Sequence, residues 1–158
     1  MADDPISTLA PGALIGTSAW VPVTQSMISD FGRNTLDPDP MHVDPEWARA
    51  HSPFGGTIAF GFQTISLLTH LLYSATQRGP DRAAAAAGYH LNYGFNRLRL
   101  ITPVPVDSRV RGEFRLKERT QDRKGRWITT MDCAVSVAGA ERQALFAEWL
   151  TIWVPRAP

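Results

Sequence analysis

The sequence predicts an α+β domain, an antiparallel sheet wrapped around one long helix. Three observations carry that prediction. From Thr57 apolar residues recur at spacings of three and four, after Gly88 the period changes to two, and the period-two segments are separated by turn signals rather than by helices. At 158 residues the chain is the size of one ordinary domain, so residues 1–158 are expected to form a single unit.

The elements follow in order. "MADDPISTLAPGALIG" begins with acids and is broken by Pro5, Pro11 and Gly12, which is unlike a signal peptide. Thr24 can cap a short helix in which Met27, Ile28 and Phe31 share a face, with Gly32 and Asn34 expected to end it. Asp44 followed by Pro45 is a second helix start, because the aspartate accepts free amides and proline suits the first helical position; this helix should stop near Ser52-Pro53.

The long helix is expected from Thr57. Ile58, Phe62, Ile65, Thr69 and Leu72 form one line, and Leu67, Leu68 and Leu71 widen it until the helix should be nearly enclosed. The polar line Gln63, Ser66, His70, Tyr73 and Gln77 is left for solvent or a subunit boundary. "RAAAAAG" reads as a variable connection.

Strands fill the remainder. "GYHLNYGFNRLRL" is the first, and "ITPVPVDS" leads to a second in which Val110, Gly112, Phe114 and Leu116 alternate with Arg109, Arg111, Glu113, Arg115 and Lys117. "QDRKGR" is a hairpin turn, followed by alternating Trp127, Thr129, Met131, Cys133, Val135 and Val137, and "AGAERQ" turns the chain into "ALFAEWLTIWV".

Composition narrows the function. Sixteen Lys and Arg against fifteen Asp and Glu give no global field for nucleic acid, so the charged strand face reads as solvated. No apolar run approaches the roughly 20 residues of a membrane helix. The single cysteine, Cys133, excludes an internal disulfide and fits a reducing, cytoplasmic location.

The chemistry concentrates in "LDPDPMHVDPEWARAHSPFGGTIAFGF". Asp37 stands five residues before His42, and an acid and a histidine close together can hold a water and move protons in both directions. Pro38 and Pro40 stiffen the loop, so both side chains are held at little ordering cost. Read on spacing alone, the same residues also suit a capped turn with a structural histidine. Gly55, Gly56 and Gly61 lead into the helix, whose first amides and dipole can polarise a carbonyl oxygen approaching closely; a tight turn is the plainer reading of the same glycines.

The Asp37-to-His42 loop resembles the signature of the MaoC-like (R)-specific enoyl-CoA hydratases, an aspartate five residues before a histidine. "HVDPEWARAHSPFGGTIAFGFQTISLL" and "NYGFNRLRLITPVPVDSRVR" resemble more particularly the nodulation-protein-N branch, and the similarity covers nearly the whole chain. The resemblance implies the hot-dog fold, Asp37 and His42 as the catalytic pair, and Gly61 as the amide that meets the thioester carbonyl. It further implies reversible syn addition of water to a trans-2-enoyl thioester, giving an (R)-3-hydroxyacyl thioester, and a homodimer. Gly56 and Phe62 join the substrate-binding set by position. Asn92, Asn96 and Arg97 can hydrogen-bond pantetheine, although on a half-exposed strand they equally suit ordinary sheet polar residues. No metal or redox cofactor is implied. Coenzyme A or phosphopantetheine enters as part of the substrate, and an acyl carrier protein is a partner the charged strand could attract.

Three residues depart from the family pattern. Leu36 stands where glycine is usual, so the turn before the acid is expected to differ. Asp39 replaces an amide residue, and Phe60 replaces the histidine that commonly precedes Gly61. These departures keep two rivals in view: a hot-dog thioesterase, and a non-catalytic acyl-thioester-binding subunit.

Overall fold

The computed structural model describes residues 6–79 and 88–155; the alanine tract falls at 82–87, outside them. Strands β1 (Leu14–Thr17) and β2 (Val21–Pro22) precede helices α1 (Gln25–Thr35), α2 (Pro40–Val43), α3 (Pro45–His51) and α4 (Gly61–Thr76). Strands β3 (Gly88–Leu100), β4 (Arg109–Gln121), β5 (Trp127–Val137) and β6 (Leu145–Pro155) follow. All pair antiparallel in the order β1-β4-β5-β6-β3, with β2 also on β4.

The period-two pattern settles which side of the sheet is core. Val110, Phe114 and Leu116 of β4, Met131, Cys133 and Val135 of β5, and Leu145, Ala147 and Trp149 of β6 are buried against Leu68 and Leu71 of α4. Burying one such leucine contributes about 1.5–3 kcal/mol. Two glycines let helix and sheet approach. A Cβ on Gly16 would collide with the Ala75 carbonyl oxygen, and one on Gly112 would meet Leu71 Cβ at 3.0 Å. Among the described residues no helix is long and apolar enough to cross a membrane.

Three expectations are corrected and two short strands are added. The long helix starts at Gly61, not Thr57: Ile58 bridges Pro105, the Ala59 amide donates to Val104 O at 2.8 Å and the Val106 amide donates to Thr57 O at 3.0 Å. Backbone pairing with the 104–106 loop thus outweighs the helical apolar spacing of residues 57–60.

Second, α4 is not enclosed within one chain. Gln63 and Thr64 are buried with Leu68 and Leu71, whereas Phe62 is 75% exposed on the line of Ser66, His70 and Tyr73. The buried stripe is centred on Leu68 and Leu71, and Phe62 lies about half a turn round the helix from Leu71, outside it.

Third, Gly32 does not end α1. It is buried inside the helix, where a Cβ would press on Val43 Cγ1 at 2.8 Å and Asp37 O at 2.9 Å. The helix closes at Leu36, which is left-handed at φ 59; the Leu36 amide donates to Arg33 O at 3.4 Å and the Asp37 amide to Gly32 O at 2.9 Å.

Finally, the short β1 and β2, punctuated by Gly16 and Pro22, carry too little periodicity to be read from sequence.

Candidate active site

The loop after α1 is built from its own side chains. Asp37 Oδ1 accepts from the Asp39 amide at 3.2 Å, and Asp39 Oδ1 accepts from the Met41 amide at 2.9 Å, capping α2. Asp39 therefore does the capping work that an amide side chain also performs at such a position. Asp44 in turn caps α3, accepting from Glu46 N at 3.0 Å and Trp47 N at 2.9 Å. Two successive caps present His42 from a single helical turn.

The imidazole is oriented by two contacts. His42 Nδ1 lies 2.7 Å from Ile58 O, and because a carbonyl only accepts, Nδ1 carries the proton of that bond. Nε2 of the neutral ring is then the nitrogen with a free lone pair. Phe60 packs on the ring with centroids 3.9 Å apart and planes at 32°, and itself leans on Phe31.

Gln25 was not singled out by the sequence, yet it ties this region together. Its Nε2 donates to His42 O at 2.9 Å and to Ser29 Oγ at 3.1 Å, while its Oε1 accepts from Thr57 Oγ1 at 2.5 Å. Lying one residue after the Thr24 cap, it carried no local signal of this long-range role.

His42 and Gly61 line one cavity of about 200 Å³, with Ile58, Ala59, Thr64, Leu100, Val104 and Ala144 among its walls. Gly61 opens α4, Phe60 supplies no side-chain cap, and the first-turn amides have no intrahelical acceptor. A lone-pair nitrogen and a helix N-terminus facing one mainly apolar cavity can move a proton and polarise an oxygen on the same bound molecule.

The other expected residues lie elsewhere. Asp37 is exposed and does not line the cavity, nor do half-buried Gly56 and exposed Phe62. Asn92, Asn96 and Arg97 lie exposed along β3, the sheet edge, also outside it. The charged face of β4 is largely engaged: Lys117 pairs with Glu148 at 2.7 Å, Arg115 with Glu113 at 3.0 Å, and Arg111 covers the Trp20 ring at 4.6 Å. The Leu100–Val104 wall and Ala144 were missed because loop residues form a wall only once β3 and β6 are paired.

Comparison with known proteins agrees with this architecture. Residues 7–138 match the model of the MaoC like domain. Nodulation protein N of Rhizobium leguminosarum bv. viciae is 40% identical over 141 residues, 89% of this chain and 84% of the relative. The 3-hydroxyacyl-thioester dehydratase Z of Mycobacterium tuberculosis is 38% identical over 146 residues, 92% of this chain and 91% of the relative. In structure, the (R)-hydratase from A. caviae involved in PHA biosynthesis superposes with a TM-score of 0.70 at 20% identity, covering 91% of this chain and 96% of that one. The antiparallel sheet against α4 is accordingly the hot-dog fold, and with the family match spanning most of its length the chain belongs to the MaoC-like domain family.

Proposed function

We propose that this protein is an (R)-specific enoyl-thioester hydratase and 3-hydroxyacyl-thioester dehydratase. The observation that carries the reading is that His42, with Nε2 free, and the uncapped start of α4 at Gly61 line the same cavity. The dehydratase relative at 38% identity supports it.

In this reading the thioester oxygen meets the Gly61 amide and water is held at His42 Nε2, while Asp37, outside the cavity walls and holding the Asp39 amide, is the second member of the pair that the family resemblance implies. The water O–H bond breaks, its oxygen bonds the β-carbon, the alkene π pair collapses toward the α-carbon, and a proton is delivered there on the same face. Negative charge that builds on the thioester oxygen is stabilised by the amide and helix dipole. No metal or redox group takes part, and coenzyme A or phosphopantetheine is carried in by the substrate. The reducing cytoplasm suits the buried Cys133 thiol.

A second copy completes the assembly. The free edge of β3 carries exposed Tyr89, Leu91, Tyr93 and Phe95, and Phe62 stands exposed at the start of α4. Pairing two β3 edges would cover an apolar edge that otherwise invites aggregation.

Hydration of trans-2-enoyl-CoA thioesters by the purified protein, with product chirality determined, tests the reading. The (R)-3-hydroxyacyl product is expected, with a loss of about 10²–10⁴-fold in His42→Gln and Asp37→Asn. Release of free thiol without hydration would indicate the thioesterase. Acyl-CoA binding without turnover, on coenzyme A and carrier-protein substrates alike, would indicate the binding subunit.

A further inference from the structure

The imidazole of His42 spans two segments that are far apart in the chain. Its backbone belongs to α2, and its ring proton goes to Ile58 O, on the segment that pairs with residues 104–106. Directly between these backbones the Ile58 amide reaches Met41 O at 3.4 Å, a long bond. The distance from the ring to its acceptor therefore depends on what else holds the two segments together.

Gln25 is placed to do so. It opens α1, a third element, and its side chain reaches both segments: Nε2 donates to His42 O at 2.9 Å, and Oε1 accepts from Thr57 Oγ1 at 2.5 Å, one residue before Ile58. A second bond from Nε2, to Ser29 Oγ at 3.1 Å one turn along α1, fixes the side chain. The orientation of the amide is forced, because His42 O only accepts and so must face the nitrogen. Thr57 is 2% exposed, so its hydroxyl has no ready access to water in place of Gln25. Gln25 does not line the cavity, and anything it does to a bound molecule goes through His42.

Resting on the hydratase reading above, we propose that Gln25 is a positioning residue for the hydration step. By bridging His42 O and Thr57 Oγ1 it keeps Ile58 O on Nδ1, and so keeps a lone pair rather than a proton on Nε2. With the bridge cut, Ile58 O drifts from the ring and the bond that selects the Nδ1–H tautomer weakens. Part of the population then carries its proton on Nε2, where the ring cannot take one from water.

Two near-isosteric changes cut one arm each. In Gln25→Glu the ionised carboxylate still accepts from Thr57 but cannot donate to His42 O, and in Thr57→Val the hydroxyl is gone. Thr57→Ser keeps the bond. The tautomer is read from the ring-nitrogen NMR shifts of His42 at a pH where the ring is neutral, assigned with His42→Gln, and kcat and KM are measured on trans-2-enoyl-CoA. Gln25→Glu and Thr57→Val should each show a second His42 tautomer and lose about ten- to a hundredfold in kcat, with KM within about threefold. Thr57→Ser should match the unsubstituted protein in both readouts. A purely structural role predicts a lower Tm with one tautomer and kcat retained; that result in either variant, or a kcat loss with the tautomer unmoved, overturns the proposal. If the unsubstituted protein hydrates no enoyl thioester, the hydratase reading fails by itself and the spectra decide the bridge alone: a second tautomer in both variants upholds it, and a single tautomer sinks it.

Discussion

The rings of His42 and Phe60 lie 3.9 Å apart, with Phe60 only 5% exposed, so the imidazole rests on a fixed hydrocarbon wall. With Nδ1 tied to Ile58 O, both its plane and its tilt are set. A tilted ring contact of this kind contributes about 0.5–1.5 kcal/mol beyond area burial. Phe60→Leu keeps an apolar neighbour and removes the ring contact, so kcat on a hydrated enoyl thioester should fall by up to about tenfold with a smaller change in KM. An unchanged kcat would mean that the Ile58 bond alone orients the ring.

Gln25 links three segments through His42 O, Ser29 Oγ and Thr57 Oγ1. Gln25→Leu leaves the Thr57 hydroxyl and the His42 carbonyl without these partners, at a cost of about 1–3 kcal/mol. Thr57→Val should cost less than that. Because both changes break one network, denaturant melts of the double variant should show less loss than the sum of the singles. Strict additivity would show the two bonds to be independent.

Leu36 sits in the left-handed region at φ 59 and is 88% exposed, so it incurs conformational strain without packing in return. That strain is about 1–2 kcal/mol for an L side chain, offset in a glycine variant by about 0.4–1 kcal/mol of added unfolded-state freedom. Leu36→Gly should therefore stabilise by up to about 1 kcal/mol, raising Tm by roughly 2–4 °C in a scan. A lower Tm would show that the side chain makes a contact the exposed position does not suggest.

Periodicity made the four long strands and the buried face of the core legible, because a half-buried strand alternates visibly, as Val110 to Leu116 and Met131 to Val137 do. The caps at Thr24 and Asp44 were legible for a similar reason, each being a local bond between near neighbours. What was not legible depends on distant pairing. The start of α4 at Gly61 is decided by backbone bonds to Val104, and the orientation of His42 by Ile58 and Gln25, which lie 16 and 17 residues away. His42 was legible as a candidate, but neither its surroundings nor the place of Asp37 outside the cavity walls could be read from spacing.

Cys133 provides a pH-dependent test of the core. Its thiol is buried between β4 and β6, and burial pushes its pKa from 9.0 to about 12, a shift that the backbone bond from Trp149 partly opposes and Asp132 reinforces. Since the folded state favours the neutral thiol, its contribution to stability is fully present below the unfolded value near 9 and declines as pH rises toward 12. The thiol should accordingly resist a disulfide reagent at pH 8 in the folded protein and react at once in denaturant. Cys133→Ala removes the titrating group for a cavity cost of about 1 kcal/mol or more. Other groups titrate in the same range, so the informative quantity is the difference between the two proteins. Chemical denaturation between pH 8 and 11 should show the unsubstituted protein losing its advantage over Cys133→Ala as pH rises, and a constant difference across that range would place the thiol in contact with solvent.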